Sequence, residues 1–225
     1  MQIIRIVEEL RAQAGAYRAQ GKTIGVVPTM GALHAGHASL IRAARTQCGL
    51  VIATIFVNPT QFGPNEDYAR YPRTFDADCA LAKAENADIV FAPSVEELYP
   101  AGAATFVEVE GLSQRLDGAS RPGHFRGVST VVTKLLIAAD ADLAFFGQKD
   151  AAQVAVLRRM VTDLRLGAKL VVCPIVREPD GLALSSRNAY LNPDERKQAL
   201  VLSQAIRQVE LLARAGERRA GAFIS

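Results

Sequence analysis

The segment Pro28-Thr29-Met30-Gly31-Ala32-Leu33-His34-Ala35-Gly36-His37 holds side chains suited to chemistry on a charged ligand. His34 and His37 stand three apart around a glycine, so at a helix start both rings face one side. Gly36 has no side chain to keep a flat ring such as adenine from the backbone. A helix start also offers unpaired N–H groups and the positive end of a dipole to phosphate. Imidazoles placed there can donate hydrogen bonds to phosphate oxygens and stabilise charge that develops on them. Taken alone, the pair suits two ordinary surface histidines equally well. Zinc is a poor reading, because the third histidine, His124, is remote and no cysteine lies nearby.

Two further groups belong with it. Gly147-Gln148-Lys149-Asp150 follows an apolar run that ends at Phe146. By itself it reads as a helix cap with a solvated lysine, or as a cation held near a ligand. Leu184-Ser185-Ser186-Arg187-Asn188 puts two hydroxyls and a guanidinium together. It reads as a simple turn, or as a loop that wraps a triphosphate, since arginine's fork of donors matches phosphate oxygens.

These groups need elements to hold them. Ile3, Val7, Leu10, Ala14 and Tyr17 recur at helical spacing, which predicts an opening helix. Apolar, β-branched runs predict strands at 23–27, 50–57, 88–92, 142–146 and 169–175, and an alternating one at 104–109. Helices are expected over 36–47, 75–86, 94–98, 127–139, 150–164 and 195–214. The stretch 58–73, with Pro59, Pro64 and Pro72, reads as a long loop of the kind that often carries function. Alternating strands and helices, with strands apolar on both faces, describe an α/β doubly wound parallel sheet. Ligands of such sheets bind at the carboxyl ends of strands, where the strand order reverses. The first two groups lie at such ends. The turn Glu178-Pro179-Asp180-Gly181 and the helix start Asn192-Pro193-Asp194-Glu195 mark a change of character, so a domain boundary is expected near 176.

Composition removes several classes. Apolar residues are 49% and charged residues 22% of 225, as in a globular chain. The 26 basic and 23 acidic residues leave a net charge of +3, too mild to predict a nucleic-acid partner. No apolar run reaches the ~18 residues of a membrane span, and the amino terminus lacks signal-peptide order. Cys48, Cys79 and Cys173 are odd in number and far apart, which suits thiols in a reducing cytoplasm. No G-x-G-x-x-G follows a strand. The tempting string from Gly15 to Thr23 has the wrong glycine spacing and precedes a strand, so it is not a phosphate-binding loop.

His34-Ala35-Gly36-His37 resembles the HIGH motif of the nucleotidyltransferase superfamily, and Ser185-Ser186-Arg187-Asn188 resembles the counterpart of its KMSKS loop. The longer strings narrow the resemblance. Pro28 to His34, Phe56-Val57-Asn58-Pro59-Thr60-Gln61-Phe62, Tyr71-Pro72-Arg73-Thr74, His124-Phe125-Arg126-Gly127-Val128, Phe146 to Asp150 and Arg177 to Gly181 are similar to the pantoate–β-alanine ligase family. Sister nucleotidyltransferases share the histidine element but not the Asn-Pro-Thr-Gln-Phe loop.

The resemblance implies a Rossmann-like domain over 1–176 and, over 177–225, only the first part of a smaller carboxyl-terminal lid, so that the chain reads as truncated. It implies ATP-dependent joining of pantoate to β-alanine through pantoyl adenylate, with release of pyrophosphate and AMP. It implies catalytic roles for His34, His37, Lys149 and Arg187. ATP would lie against Met30, Gly36, His37, Gly147, Lys149, Asp150, Val176, Leu184, Ser185, Ser186 and Arg187, with Asp150 on the ribose. Pantoate would meet Pro28, Thr29, Met30, Asn58, Gln61 and Gln153. Arg121 and His124 would lie nearby. Asp78 is the candidate ligand for Mg2+, weakened by Ala77 where the family often has a second acid. A cytoplasmic homodimer is expected, with no membrane or nucleic-acid partner. Ala151-Ala152 before Gln153, Leu184 in place of methionine, and the string from Ile137 to Asp140 also depart from the family pattern.

Overall fold

In the computed structural model, which describes residues 1–224, the first compact unit spans Met1–Pro174. In chain order its strands are β1 (Gln2–Ile4), β2 (Ile24–Val27), β3 (Leu50–Thr54), β4 (Ile89–Phe91), β5 (Leu143–Gly147) and β6 (Lys169–Cys173). Its helices are α1 (Val7–Arg18), α2 (Ala35–Arg45), α3 (Phe75–Ala84), α4 (Val95–Leu98), α5 (Asp117–Ser120), α6 (His124–Ala138) and α7 (Ala151–Asp163). The strands form one six-stranded sheet in the order β1-β4-β3-β2-β5-β6, and every pair is parallel. The order reverses between β2 and β5. From β2 the chain steps outward one way to β3, β4 and back to β1 at the edge, while β5 and β6 lie on the other side.

Period-two side-chain alternation feeds two cores. Val26, Leu50, Ile52, Ile89, Phe91, Ala144 and Phe146 join the core that holds Leu10 of α1, Val132 of α6 and Leu157 of α7. Val27, Val51, Ala53, Val90 and Phe145 point to the other face, with Ile41 of α2 and Ala82 of α3. Both faces of β2 to β5 are therefore dry, which is why those strands read as unbroken apolar runs. Phe145 is fully buried; truncating such a ring to alanine typically costs ~3–5 kcal/mol.

The second compact unit begins at Ile175. Antiparallel pairing of Arg177 with Ala183 closes a hairpin around Glu178 to Gly181, where Gly181 takes a φ of 102°. Helices α8 (Pro193–Gln198) and α9 (Leu200–Arg214) follow. Asn192 caps α8 by accepting from the backbone of Asp194 and Glu195, and the Glu195 carboxylate returns to the Asn192 N–H.

Several expectations need correction. The chain opens with an edge strand at 2–4 before its first helix. Residues 104–109 form no strand, although their side chains alternate. The helix expected from 127 starts at His124, and the one expected over 195–214 is interrupted at Ala199. The strand expected to reach Val57 stops at Thr54, because the backbone then turns to build the site.

Candidate functional site

The loop after β2 and the start of α2 lie at the point where strand order reverses, and Gly147 ends β5 beside them. The loop is an unusual piece of backbone. Gly31 has a φ of 83° and Ala32 a φ of 49°, a left-handed pair that costs energy at an alanine. Asp78 of α3, almost fully buried, holds it in place. Its carboxylate accepts from the N–H of Ala32 at 3.0 Å, the N–H of Leu33 at 2.7 Å and the Thr74 hydroxyl at 3.0 Å. Both oxygens are occupied by the loop and its neighbour, so the expected magnesium role does not fit Asp78. Among the described residues, no three His, Cys, Asp or Glu side chains converge as metal ligands would.

Thr29 is likewise turned to the framework. Its N–H donates to the Thr54 hydroxyl, its own hydroxyl donates to the Thr54 carbonyl, and that hydroxyl accepts from the N–H of Gly31. Thr29 thereby stitches β2 to β3.

The two histidines cap α2 with their own rings. His34 Nδ1 accepts from the N–H of Gly36 at 3.1 Å, and His37 Nδ1 accepts from the N–H of His34 at 3.3 Å. Each backbone N–H can only donate, so each Nδ1 is bare and each ring carries its proton on Nε2. The ring centroids are 4.2 Å apart. Burial, then the charges of His34 and Lys149, press His37 down to about 3. Burial and Lys149 also lower His34. Both rings are thus neutral Nε2–H donors near neutral pH. The first turn of α2 contains no acidic residue. Lys149 sits exposed at the tip after β5 with its Nζ 3.0 Å from Asp150 Oδ1.

Gln61 is held from two sides. Its Oε1 accepts from Asn58 Nδ2 at 3.0 Å, and its Nε2 points to Met30 Sδ at 3.3 Å. Its carbonyl bonds His124 Nδ1 at 2.9 Å, and Arg121 lies 3.1 Å from His124 Nε2 while gripping Glu66 through two bonds. Arginine only donates, so His124 Nε2 accepts and its Nδ1 donates to Gln61. Burial lowers the pKa of His124, which suits this neutral tautomer. Gly127 lets α6 approach: a Cβ there would lie 2.3 Å from the Thr60 carbonyl oxygen.

The structure thus brings Met30, Asn58, Gln61, Arg121 and His124 into one network, with His34, His37 and Lys149 sharing a second neighbourhood. Gln153 lies in the first turn of α7, half-buried, and its amide bonds none of the described residues. In the second unit, the Leu184 N–H donates to the Val176 carbonyl, and Ser185 Oγ accepts from the Arg187 N–H at the start of a short 3-10 turn. Asn188 braces that turn through Glu178 and the Ala183 carbonyl. Glu66, Thr60 and Tyr99 belong to the Gln61 network without having been singled out in the sequence. Only Thr60 carried a signal there, as a member of the Asn-Pro-Thr-Gln-Phe string.

A family model described as pantoate-beta-alanine ligase matches residues 2–223. The pantothenate synthetase of Koribacter versatilis is 61% identical over 216 residues, covering 96% of this chain and 74% of that protein. That of Thermotoga neapolitana is 59% identical, covering 98% of this chain and 79% of its own length. Among solved structures, a pantothenate synthetase from Thermus thermophilus superposes with a TM-score of 0.94 at 48% identity, covering 99% of this chain and 79% of the other. A pantoate-beta-alanine ligase from Francisella tularensis, complexed with beta-gamma ATP and beta-alanine, gives a TM-score of 0.86 at 39% identity, covering 92% and 79%.

Proposed function

The chain belongs to the pantoate–β-alanine ligase family and joins pantoate to β-alanine with ATP, and from that premise we propose how its own residues carry the reaction. A carboxylate is a poor acyl donor, so it is first activated. One pantoate carboxylate oxygen bonds the α-phosphorus of ATP, the bond to the bridging oxygen breaks, and pyrophosphate leaves. The amine of β-alanine then attacks the acyl carbonyl of pantoyl adenylate. AMP departs with the electron pair, and the amine proton passes to solvent.

The observation that carries this reading is the pair of neutral Nε2–H imidazoles fixed at the switch point of the sheet. They donate to the phosphate oxygens without bringing a proton that the leaving group could take prematurely. Lys149 adds a full positive charge to the triphosphate. In the first unit Met30, Gly36 and Gly147 are assigned to the nucleotide, and Asp150 takes the ribose once Lys149 turns to phosphate; in the second unit Val176 and Leu184 are assigned to it. Ser185, Ser186 and Arg187 are the second unit's phosphate ligands. Gln61 and Gln153 hold pantoate above Pro28 and Met30, while Asn58 and Thr29 shape that pocket from behind. Mg2+ enters as part of the MgATP substrate, and no carboxylate of the chain is assigned to it. Catalysis then rests on placement and on fixed donors.

The test is product analysis. AMP and pyrophosphate should form in full turnover only with both pantoate and β-alanine, and mass spectrometry should detect pantoyl adenylate when β-alanine is withheld. ATP consumption with a different acid alone, or a dinucleotide product, sinks the assignment.

We place the protein in a reducing cytoplasm, where its three free thiols persist. A homodimer is supported by the apolar side chains left open between residues 104 and 116: Phe106, Leu112 and the 79% exposed Leu116.

A further inference from the structure

We infer that Tyr99 is a positioning residue for the reaction, setting through Asn58 which edge of the Gln61 amide meets pantoate. The inference rests on the assignment of Gln61 to pantoate. Tyr99 follows α4 and lies 38 positions from Gln61 in the chain, since 99 less 61 is 38. Its hydroxyl donates to Asn58 Oδ1 at 2.9 Å and lies 3.2 Å from Thr60 Oγ1. Burial pushes the phenol pKa up, so the group keeps its proton and stays a donor.

Asn58 is 1% exposed. Its Oδ1 receives the Tyr99 hydroxyl, the Thr60 hydroxyl at 2.9 Å and the Thr60 N–H at 3.3 Å. Its Nδ2 donates to the Gly127 carbonyl at 3.2 Å and to Gln61 Oε1 at 3.0 Å. With donors gathered on one side and acceptors on the other, the Asn58 amide has one favourable orientation. That orientation commits Gln61. Its Oε1 is engaged by Asn58, and one Nε2–H points to Met30 Sδ, which leaves the second N–H of that amide to a ligand. Gln61 therefore presents a donor, and its ligand must offer an acceptor, such as a carboxylate or hydroxyl oxygen. Of the three donors on Asn58 Oδ1, Tyr99 is the one from outside the loop, so it ties the orientation to the α4 end of the fold. Its ring packs on Phe56 and lies under Lys134, contacts that phenylalanine would keep.

The experiment is steady-state kinetics and thermal melting of Tyr99→Phe, with Gln61→Ala beside it. Tyr99→Phe should raise KM for pantoate about three- to ten-fold, as loss of one neutral hydrogen bond allows, while kcat and KM for ATP stay within about two-fold. Its Tm should stay close to that of the parent. If Gln61→Ala raises KM for pantoate and Tyr99→Phe does not, the inference is overturned and the Gln61 assignment stands. If Gln61→Ala leaves KM for pantoate unchanged, the assignment fails and the inference falls with it. Equal losses in kcat, both KM values and Tm would assign Tyr99 to folding and overturn the positioning role.

Discussion

His34 and His37 do two jobs with different atoms. Nδ1 of each closes the start of α2, and Nε2 of each is left for the ligand. Replacing either by alanine should lower turnover on the order of 10²–10³, the usual cost of a transition-state donor. The His34 change should also cost about 1 kcal/mol of stability, because the cap goes with the ring. Steady-state rates and urea midpoints separate the two. A drop in rate under about tenfold for both variants would return the rings to a purely structural role. The pH dependence follows from the shifts. An unfolded histidine titrates near 6.5, whereas folded His37 titrates at about 3. Between those values the unfolded chain binds a proton that the folded chain does not. The stability contribution is therefore whole above pH 6.5 and is lost as pH falls toward 3. His34 and His124 push in the same direction. Denaturation midpoints should fall from pH 7.5 to pH 5, less steeply in His37→Gln. A flat profile in the parent would contradict the neutral-ring geometry.

At the scale of elements, two contacts across the sequence decide whether the loops can serve as a site. Gly127→Ala would set a Cβ against the Thr60 carbonyl oxygen, a backbone atom that cannot turn aside. It should cost ~1–3 kcal/mol and raise KM for pantoate, since Gln61 shares that turn. Asp78→Ala would strip the support from the left-handed Gly31–Ala32 pair and leave two loop N–H groups unbonded, costing ~2–4 kcal/mol in Tm and denaturant measurements. The Mg2+ concentration that half-saturates activity should stay unchanged in that variant; a large shift would restore Asp78 as a metal ligand. Elements were unevenly legible in the sequence. The buried strands and amphipathic helices declared themselves by periodicity. β1 did not, because three edge residues cannot display a pattern and Ile3 also fits the helical spacing of α1. The alternation over 104–109 suggested a strand, but alternation reports which side chains can share a face. It does not supply a neighbouring strand to bond. The break at Ala199 escaped because one residue with ψ of −19° offsets the helical ladder without disturbing apolar spacing.

At the scale of the molecule, the sheet order brings the loops after β2 and β5 side by side although Val27 and Leu143 lie 116 positions apart in the chain, since 143 less 27 is 116. That order is what makes two separate motifs one neighbourhood. The open apolar segment between 104 and 116 belongs to the same scale. Sedimentation should give about twice the 24.2 kDa chain mass, and Phe106→Asp should move the protein toward the monomer. A monomeric parent at micromolar concentration would remove the dimer from the proposal.

The sequence by itself determined the α/β class, the ligase family and the three motif loops, because buried strands need apolar runs and phosphate chemistry needs particular donors at helix starts. It could not decide what each polar atom faces. Asp78 meets Ala32 across 46 positions, and Asn58 meets Gly127 across 69. Such partners are chosen by the order of strands and the closeness of helices, which local spacing does not encode. Only the tertiary structure therefore turned Asp78 from a metal candidate into a loop clasp, set both histidines as neutral Nε2–H donors, and joined Tyr99 to Gln61.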